Sequence, residues 1–220
     1  MNTLFHFLRR TPSAVLLLLQ LIILLTTPLL ADTASSHAVS WALGTLALIL
    51  VAVIIRFSPV FNAVGFVLVG VALTLSALVA WAGMEDLAVW ANVAEAMAYF
   101  YAAWGMVMYM LDDHEVTRDE LFAAAAVFTL MAWGFAFLYS ACQILYPHSF
   151  TAAVNVDAPR TWLELLFLSF TSMSSTGLGD IIPITPPARV ISAIQMFTGV
   201  MYVALIVSRL VGMAGVKTSK

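Results

Sequence analysis

Six apolar windows, at about residues 12–30, 39–55, 59–82, 87–111, 119–146 and 187–212, follow one another with only short polar breaks. Each approaches or exceeds the roughly 20 residues that the hydrocarbon core of a bilayer demands of a helix. The runs are too long and too evenly apolar for barrel strands, and a helix satisfies its own backbone polar groups in hydrocarbon, so helices are the expected spanning form. Composition points the same way. Of 220 residues 63% are hydrophobic and 10% charged, and the mean hydropathy is +1.01, beyond what a water-exposed surface permits. The expected fold class is an all-α transmembrane protein with six membrane-spanning helices.

Orientation follows from the basic residues. In a six-span arrangement Arg9, Arg10, Arg56, Arg118, Arg209, Lys217 and Lys220 fall on one side, and only Arg160 and Arg189 on the other. Cytoplasmic loops carry the excess of Lys and Arg, so both termini are expected in the cytoplasm of a multi-pass protein of the plasma or inner membrane. Arg9-Arg10, the apolar run from Val15 and the small Ala31 also resemble a signal peptide, but the run is long and Leu29 is a poor cleavage-site residue, so a retained helix is expected. A net charge of −3 without a basic cluster gives no reason to expect a nucleic-acid partner. The single Cys142 has no metal-ligand spacing and is read as packing.

No Gly/Ser linker or charged tail marks off a soluble domain, and fewer than ten residues follow Gly212, which leaves no room for a regulatory module there. The chain divides instead into residues 1–116, four helices, and 117–220. Thr117-Arg-Asp-Glu120 reads as a capping box starting the fifth helix at about Arg118. The preceding Asp112, Asp113, His114 and Glu115 could sense a divalent cation or protons, but a solvated acidic linker is the favoured reading; His6, His37 and His148 are read as equally bland. Glu95 is the only acid well inside a predicted span. A carboxylate there costs at least a few kcal/mol unless paired, protonated or wet, which makes it a candidate gating residue, with a hydrogen bond to a neighbouring helix as the alternative. The fourth window holds no Arg or Lys. Moving one charge through 100 mV yields only about 2.3 kcal/mol, so a conventional voltage sensor is excluded. Its Trp90, Tyr99, Phe100, Tyr101, Trp104 and Tyr109 are read as packing and interfacial aromatics.

Between the fifth and sixth windows stands Ser175-Thr176-Gly177-Leu178-Gly179-Asp180, preceded by a Ser/Thr-rich apolar run and followed by Ile-Ile-Pro. Asp157-Ala-Pro159 reads as a helix start, and Pro159 to Ser174 as about four turns, roughly 23 Å, enough to enter a membrane but not to cross it. Such a re-entrant helix aims its negative end at the membrane centre. Gly177 and Gly179 suit alternating positive φ values that turn successive carbonyls to one side. The carbonyls of Ser175, Thr176, Gly177 and Leu178, with the Ser175 hydroxyl, can then replace the hydration shell of a cation. One chain offers one such strand, so a homo-oligomer around an axial pore is expected.

Residues 119–213 resemble the outer helix, pore helix, filter and inner helix of the tetrameric potassium channel family. The family's Thr-Val-Gly-Tyr-Gly-Asp pattern aligns without a gap on Ser175 to Asp180; its proline after the filter and its arginine opening the inner helix match Pro183 and Arg189. Its inner-helix glycine, a bending point in gating, falls on Gly199. The resemblance implies a homotetramer in lipid that passes K+ through Ser175–Gly179, supported by Asp180, Phe167, Leu168 and Thr171, with K+ as permeant ion and no cofactor. The first four helices match the six-span layout by count alone.

Positions 167, 168, 176 and 178 depart from the family. Its valine is Thr176, its tyrosine is Leu178, and the Trp pair of some members is Phe167 and Leu168, so no indole or phenol donor stands behind Asp180. Leucine in the tyrosine position also occurs in some two-pore-domain potassium channels. These departures imply a potassium-preferring channel with weakened discrimination against Na+, or a labile filter; non-selective conduction and a non-conducting subunit are the alternatives. Below the filter Thr198, Tyr202 and Ser208, among Val200, Val203, Ala204 and Val207, form an inner helix with a mostly apolar lining. No enzyme is expected. Gly-Leu-Gly-Asp is also the signature of intramembrane aspartyl proteases, with Asp112 or Asp113 as the partner acid, but the prolines at 183, 186 and 187 deny Asp180 a helix and the charge bias puts the two acids on opposite faces, whereas a shared-proton dyad needs near contact.

Overall fold

The computed structural model describes residues 11–31, 62–112 and 117–216. The window at 39–55, together with His6, Arg9, Arg10, His37, Arg56, Asp113, His114, Glu115, Lys217 and Lys220, lies outside the described residues. The remaining windows become helices α1 (Pro12–Ala31), α2 (Asn62–Ala82), α3 (Ala88–Leu111), α4 (Arg118–Leu145) and, late in the chain, a helix over Pro186–Val216. Stretches in three of them, Ala63–Ala82, Arg118–Leu145 and Pro186–Arg209, are long and apolar enough to cross a membrane. Between α4 and the last helix come β1 (Phe150–Ala152), the short helix α5 (Trp162–Met173) and β2 (Ile181–Pro183), so that the last helix is α6.

Helix α4 is the hub, packing against α1, α3, α5 and α6. Its start obeys local chemistry: Thr117 caps it by accepting from the Glu120 N–H at 3.3 Å, and Asp119 and Glu120 sit in the first turn, where carboxylates meet the positive end of the helix dipole. Both acids also reach other elements. Asp119 is buried and accepts from the Ser13 N–H (2.9 Å) and the Ser13 hydroxyl (2.8 Å), with the Tyr109 hydroxyl at 3.4 Å. One carboxylate thus closes the N-terminus of α1 while lying at that of α4. Glu120 pairs with Arg209 of α6 at 2.9 Å, both side chains largely buried. Removing one partner of such a pair leaves a buried charge uncompensated, at a cost of about 3 kcal/mol. Glu120→Gln is therefore expected to lower unfolding stability by about that amount in urea titrations of the purified protein, with Glu120→Leu/Arg209→Met recovering most of it.

Helices α3 and α4 pack together and are rich in buried small residues, among them Ala94, Ala98 and Ala102 of α3 and Ala123 and Ala126 of α4, which let apolar backbones approach closely in lipid. At Gly134 an added Cβ would lie 2.9 Å from the Phe100 ring. Tyr99, buried as the aromatic packing reading requires, stands edge-on to Trp133 (centroids 5.7 Å apart) and stacks on Phe137 (5.5 Å), while Trp90 and Trp104 are exposed. Glu95 is buried and accepts a hydrogen bond from Ser76 of α2, the neighbouring-helix contact set out above as its alternative role.

The expected start of the short helix is corrected. It begins at Trp162 rather than Pro159, and its 12 residues span about 18 Å. The cause is a complete capping box: Thr161 accepts from the Glu164 N–H, and the Glu164 carboxylate accepts from the Thr161 N–H at 2.6 Å. Asp157 and Pro159 fall in the preceding turn, organised by the buried Arg160. Its guanidinium donates to the carbonyls of Val154, Asn155 and Ala158 and lies 3.4 Å from Glu164, while its backbone exchanges two hydrogen bonds with the Gln143 amide of α4.

The all-α expectation holds for most of the described residues, apart from one short ribbon. β1 and β2 form an antiparallel ribbon with Phe150 opposite Pro183 and Ala152 opposite Ile181. The β-branched Ile181-Ile182 before a proline favours extended backbone, and the ribbon continues through the Ile184 N–H to the Ser149 carbonyl at 2.9 Å.

Candidate functional site

Helix α5 ends at Met173 with Ser174 as its C-cap, and the chain then turns into the exposed stretch 174–180. Two amides of that stretch, Thr176 N–H at 2.9 Å and Gly177 N–H at 3.1 Å, donate to the Thr171 carbonyl in the last turn of α5. The Ser174 and Thr176 hydroxyls lie 2.7 Å apart. The Ser175 N–H donates to the Ser172 carbonyl at 3.2 Å, so the loop hangs from two carbonyls in the last turn of α5, chiefly that of Thr171.

Every second residue of the loop is left-handed: φ is +58° at Ser175, +57° at Gly177 and +71° at Gly179. Both glycines adopt the backbone region for which glycine is suited. Ser175 does so with a Cβ, at a cost of about 1–2 kcal/mol, and nothing in its residue type announced it. Among the described residues no backbone amide donates to the carbonyls of Ser175, Thr176, Gly177 or Leu178. Four successive acceptors are thus left open on an exposed strand. At Gly177 and Gly179 no atom lies within 4 Å of the place a Cβ would take, so conformation rather than crowding calls for glycine there.

The residues around the loop divide between packed and open. Leu168 is buried with Tyr139, Cys142, Phe150, Leu165 and Ile181; Phe167 and Leu178 are exposed, Leu178 by 64%. Thr171 turns its hydroxyl back to the Leu168 carbonyl at 2.9 Å and offers the loop its carbonyl instead. Asp180 is exposed, lies on a bend before β2 and not on a helix, and among the described residues no side chain donates to it. Asp112 is exposed at the end of α3. No group of His, Cys, Asp and Glu able to hold a metal ion is found among the described residues.

Helix α6 runs through Gly199 unbroken. A Cβ on Gly199 would lie 2.2 Å from the Met173 carbonyl oxygen and 2.9 Å from its carbon, so the two helix backbones touch at that point. Tyr202 does not face away with Thr198: it is buried and its hydroxyl donates to the Ala124 carbonyl of α4 at 2.6 Å, which removes it from the expected cavity lining. Its ring reaches α4 because Phe128 stands beside it, centroids 6.4 Å apart. The opposite side of α6 exposes Val190, Ile194, Phe197, Val200 and Met201.

An ion channel family model matches residues 96–214, more than half of the chain and all but the last two residues of the α4–loop–α6 unit. The protein belongs to the ion channel family. It is accordingly a multi-pass membrane protein whose helices serve ion permeation. No curated protein and no solved structure matches the channel. The match begins at Ala96 in α3, ahead of the 119–213 segment in which the sequence resembles potassium channels. The sequence names Ser175 as a filter residue but gives no sign of its left-handed backbone; it does signal the turn that Arg160 organises, through Thr161-x-x-Glu164, and Gln195, as an amide in an apolar helix, although neither is among the site residues expected from sequence.

Proposed function

We propose that the chain is one subunit of a homotetrameric, potassium-preferring cation channel, with both termini cytoplasmic, six spans per subunit, and α5 as a re-entrant pore helix presenting Ser175–Gly179 to the axis. The observation that carries this reading is the alternation of left-handed residues at 175, 177 and 179 beside four unengaged carbonyls. Four such strands around an axis supply stacked rings of oxygen, the coordination a dehydrated K+ requires. The exposed apolar side of α6 supports a neighbouring subunit or lipid against it. Asp180, Phe167, Leu168 and Thr171 support the loop, Glu95 is a gating candidate through Ser76, and bending at Gly199 requires α6 to lift from Met173. Leu178 is exposed with no packing behind it, which favours weaker discrimination against Na+ than a tethered tyrosine gives.

Reversal potentials in bi-ionic potassium/sodium gradients across planar bilayers test the proposal. A reversal displaced toward the potassium equilibrium potential is expected; one near zero makes the pore non-selective, and silence of the reconstituted protein makes it a non-conducting subunit.

A further inference from the structure

Four buried polar side chains from three helices, α4, α5 and α6, form one network. Tyr139, Ser169 and Gln195 are wholly buried and Ser192 nearly so. The Tyr139 hydroxyl of α4 donates to Gln195 Oε1 of α6 and lies 3.1 Å from Ser192 Oγ. Gln195 Nε2 donates to the Ser169 carbonyl of α5 at 2.9 Å and to Ser169 Oγ at 2.5 Å, and Ser169 Oγ donates to the Ala132 carbonyl of α4 at 2.6 Å.

The proton count closes. Gln195 Oε1 meets a donor and Nε2 meets two acceptors, so the amide has one orientation. The Tyr139 hydroxyl has one proton to share between Gln195 and Ser192, and the shorter contact is with Gln195. A satisfied network in a medium without water is rigid, because each group's alternative is an unpaired buried dipole. Gln195 and Gly199 stand one turn apart on α6; their contacts Ser169 and Met173 stand one turn apart on α5. The two helices are thus joined along a seam two residues deep, with Thr171, which holds the loop amides, between its ends.

We propose that Gln195 is a positioning residue that sets how long the filter loop stays conductive, by joining the pore helix to both flanking spans. The inference rests on the pore reading given above. The loop is exposed and its amides hang from Thr171, so within the subunit its geometry follows that of α5; loosening α5 lets the carbonyl array lose register. An ion in the array binds the ordered loop and not the disordered one, so permeant ion opposes the loss by mass action.

Single-channel recording of the full chain in planar bilayers tests this with Gln195→Met, which keeps the length and removes the amide, and Tyr139→Phe, which removes one hydroxyl from the same network. Both are expected to shorten conducting bursts, Gln195→Met by about tenfold, the rate equivalent of one buried hydrogen bond. Raising external K+ is expected to restore burst length in both, and the double variant to fall short of the product of the single effects. A residue of structural importance alone lowers the yield of assembled channels but leaves burst length and its potassium dependence unchanged. If Gln195→Met does not assemble, Tyr139→Phe decides. Wild-type burst lengths in the assembled variants overturn the inference while leaving the pore reading intact; a silent wild-type protein overturns both.

Discussion

Gly177→Ala is expected to abolish potassium flux while the oligomer remains assembled. Gly177 has φ +57° and open space where a Cβ would go, so the substitution meets no neighbour and its cost is conformational, about 1–2 kcal/mol for an L-residue held left-handed. A loop held only by a few amide bonds to the last turn of α5 has an easy escape: the peptide between Thr176 and Gly177 rotates, and the Thr176 carbonyl turns from the axis. In a ring of four the strain recurs in each copy, and a few kcal/mol shift the population by at least roughly a hundredfold. Helix packing lies elsewhere, between α3, α4 and α6, so assembly survives. Potassium flux into liposomes and size-exclusion chromatography of the same sample make the measurement. Wild-type flux through Gly177→Ala would sink the pore reading, and loss of an activity in Asp180→Asn alone would point to the protease chemistry that the Gly-Leu-Gly-Asp sequence shares.

The second large effect is expected at Gly199, with the opposite cause. Alanine improves helix propensity over glycine by about 1 kcal/mol, so at an unconstrained site the change stabilises. At Gly199 the new Cβ would stand 2.2 Å from a main-chain oxygen and 2.9 Å from a main-chain carbon of Met173. Neither can swing aside as a side chain can. The helices must separate, which also stretches the Gln195–Ser169 hydrogen bonds one turn away. Overpacking of this kind costs about 1–3 kcal/mol or more, and the rigid partner places Gly199→Ala at the upper end. Gly70→Ala in α2 is the control, since nothing lies within 4 Å of its Cβ position. Thermal unfolding of the purified protein is expected to show Gly199→Ala well below wild type and Gly70→Ala at or slightly above it. Equal midpoints for the two variants would mean that α6 is not seated on α5.

Gly199 shows where reading a sequence stops. Its spacing from Arg189 identified it as a special position, and flexibility and close packing were both consistent with a glycine in an apolar helix. The contact with Met173, 26 residues away, brings the two roles together: a bend there requires the seam with α5 to open. Tyr202 is similar. A tyrosine three residues on has a hydroxyl that must find a partner in lipid, but whether that partner lies across the pore or on α4 depends on how α6 is rotated about its axis.

Local signals carried much of the rest. Thr117 and Glu120 started α4 where the capping pattern put it, because a cap is settled within four residues. The start of α5 follows the reciprocal cap of Thr161 and Glu164 rather than Pro159, because the cap satisfies two backbone donors that proline leaves open. Window lengths located the described long helices to within a few residues, since a hydrocarbon layer imposes a length irrespective of tertiary partners.

The sequence by itself determined that this chain lives in a membrane, where its long helices run, and that a loop with glycine at every second place sits between the last two; hydropathy and backbone freedom are properties of consecutive residues. Only the tertiary structure decided which polar atoms meet: Ser13 with Asp119, Glu120 with Arg209, and Tyr139 and Ser169 with Gln195. Helices that are apolar almost all round carry little signal for their own rotation, so the few hydrogen bonds and close backbone contacts between them choose it, and those form between residues far apart in the chain.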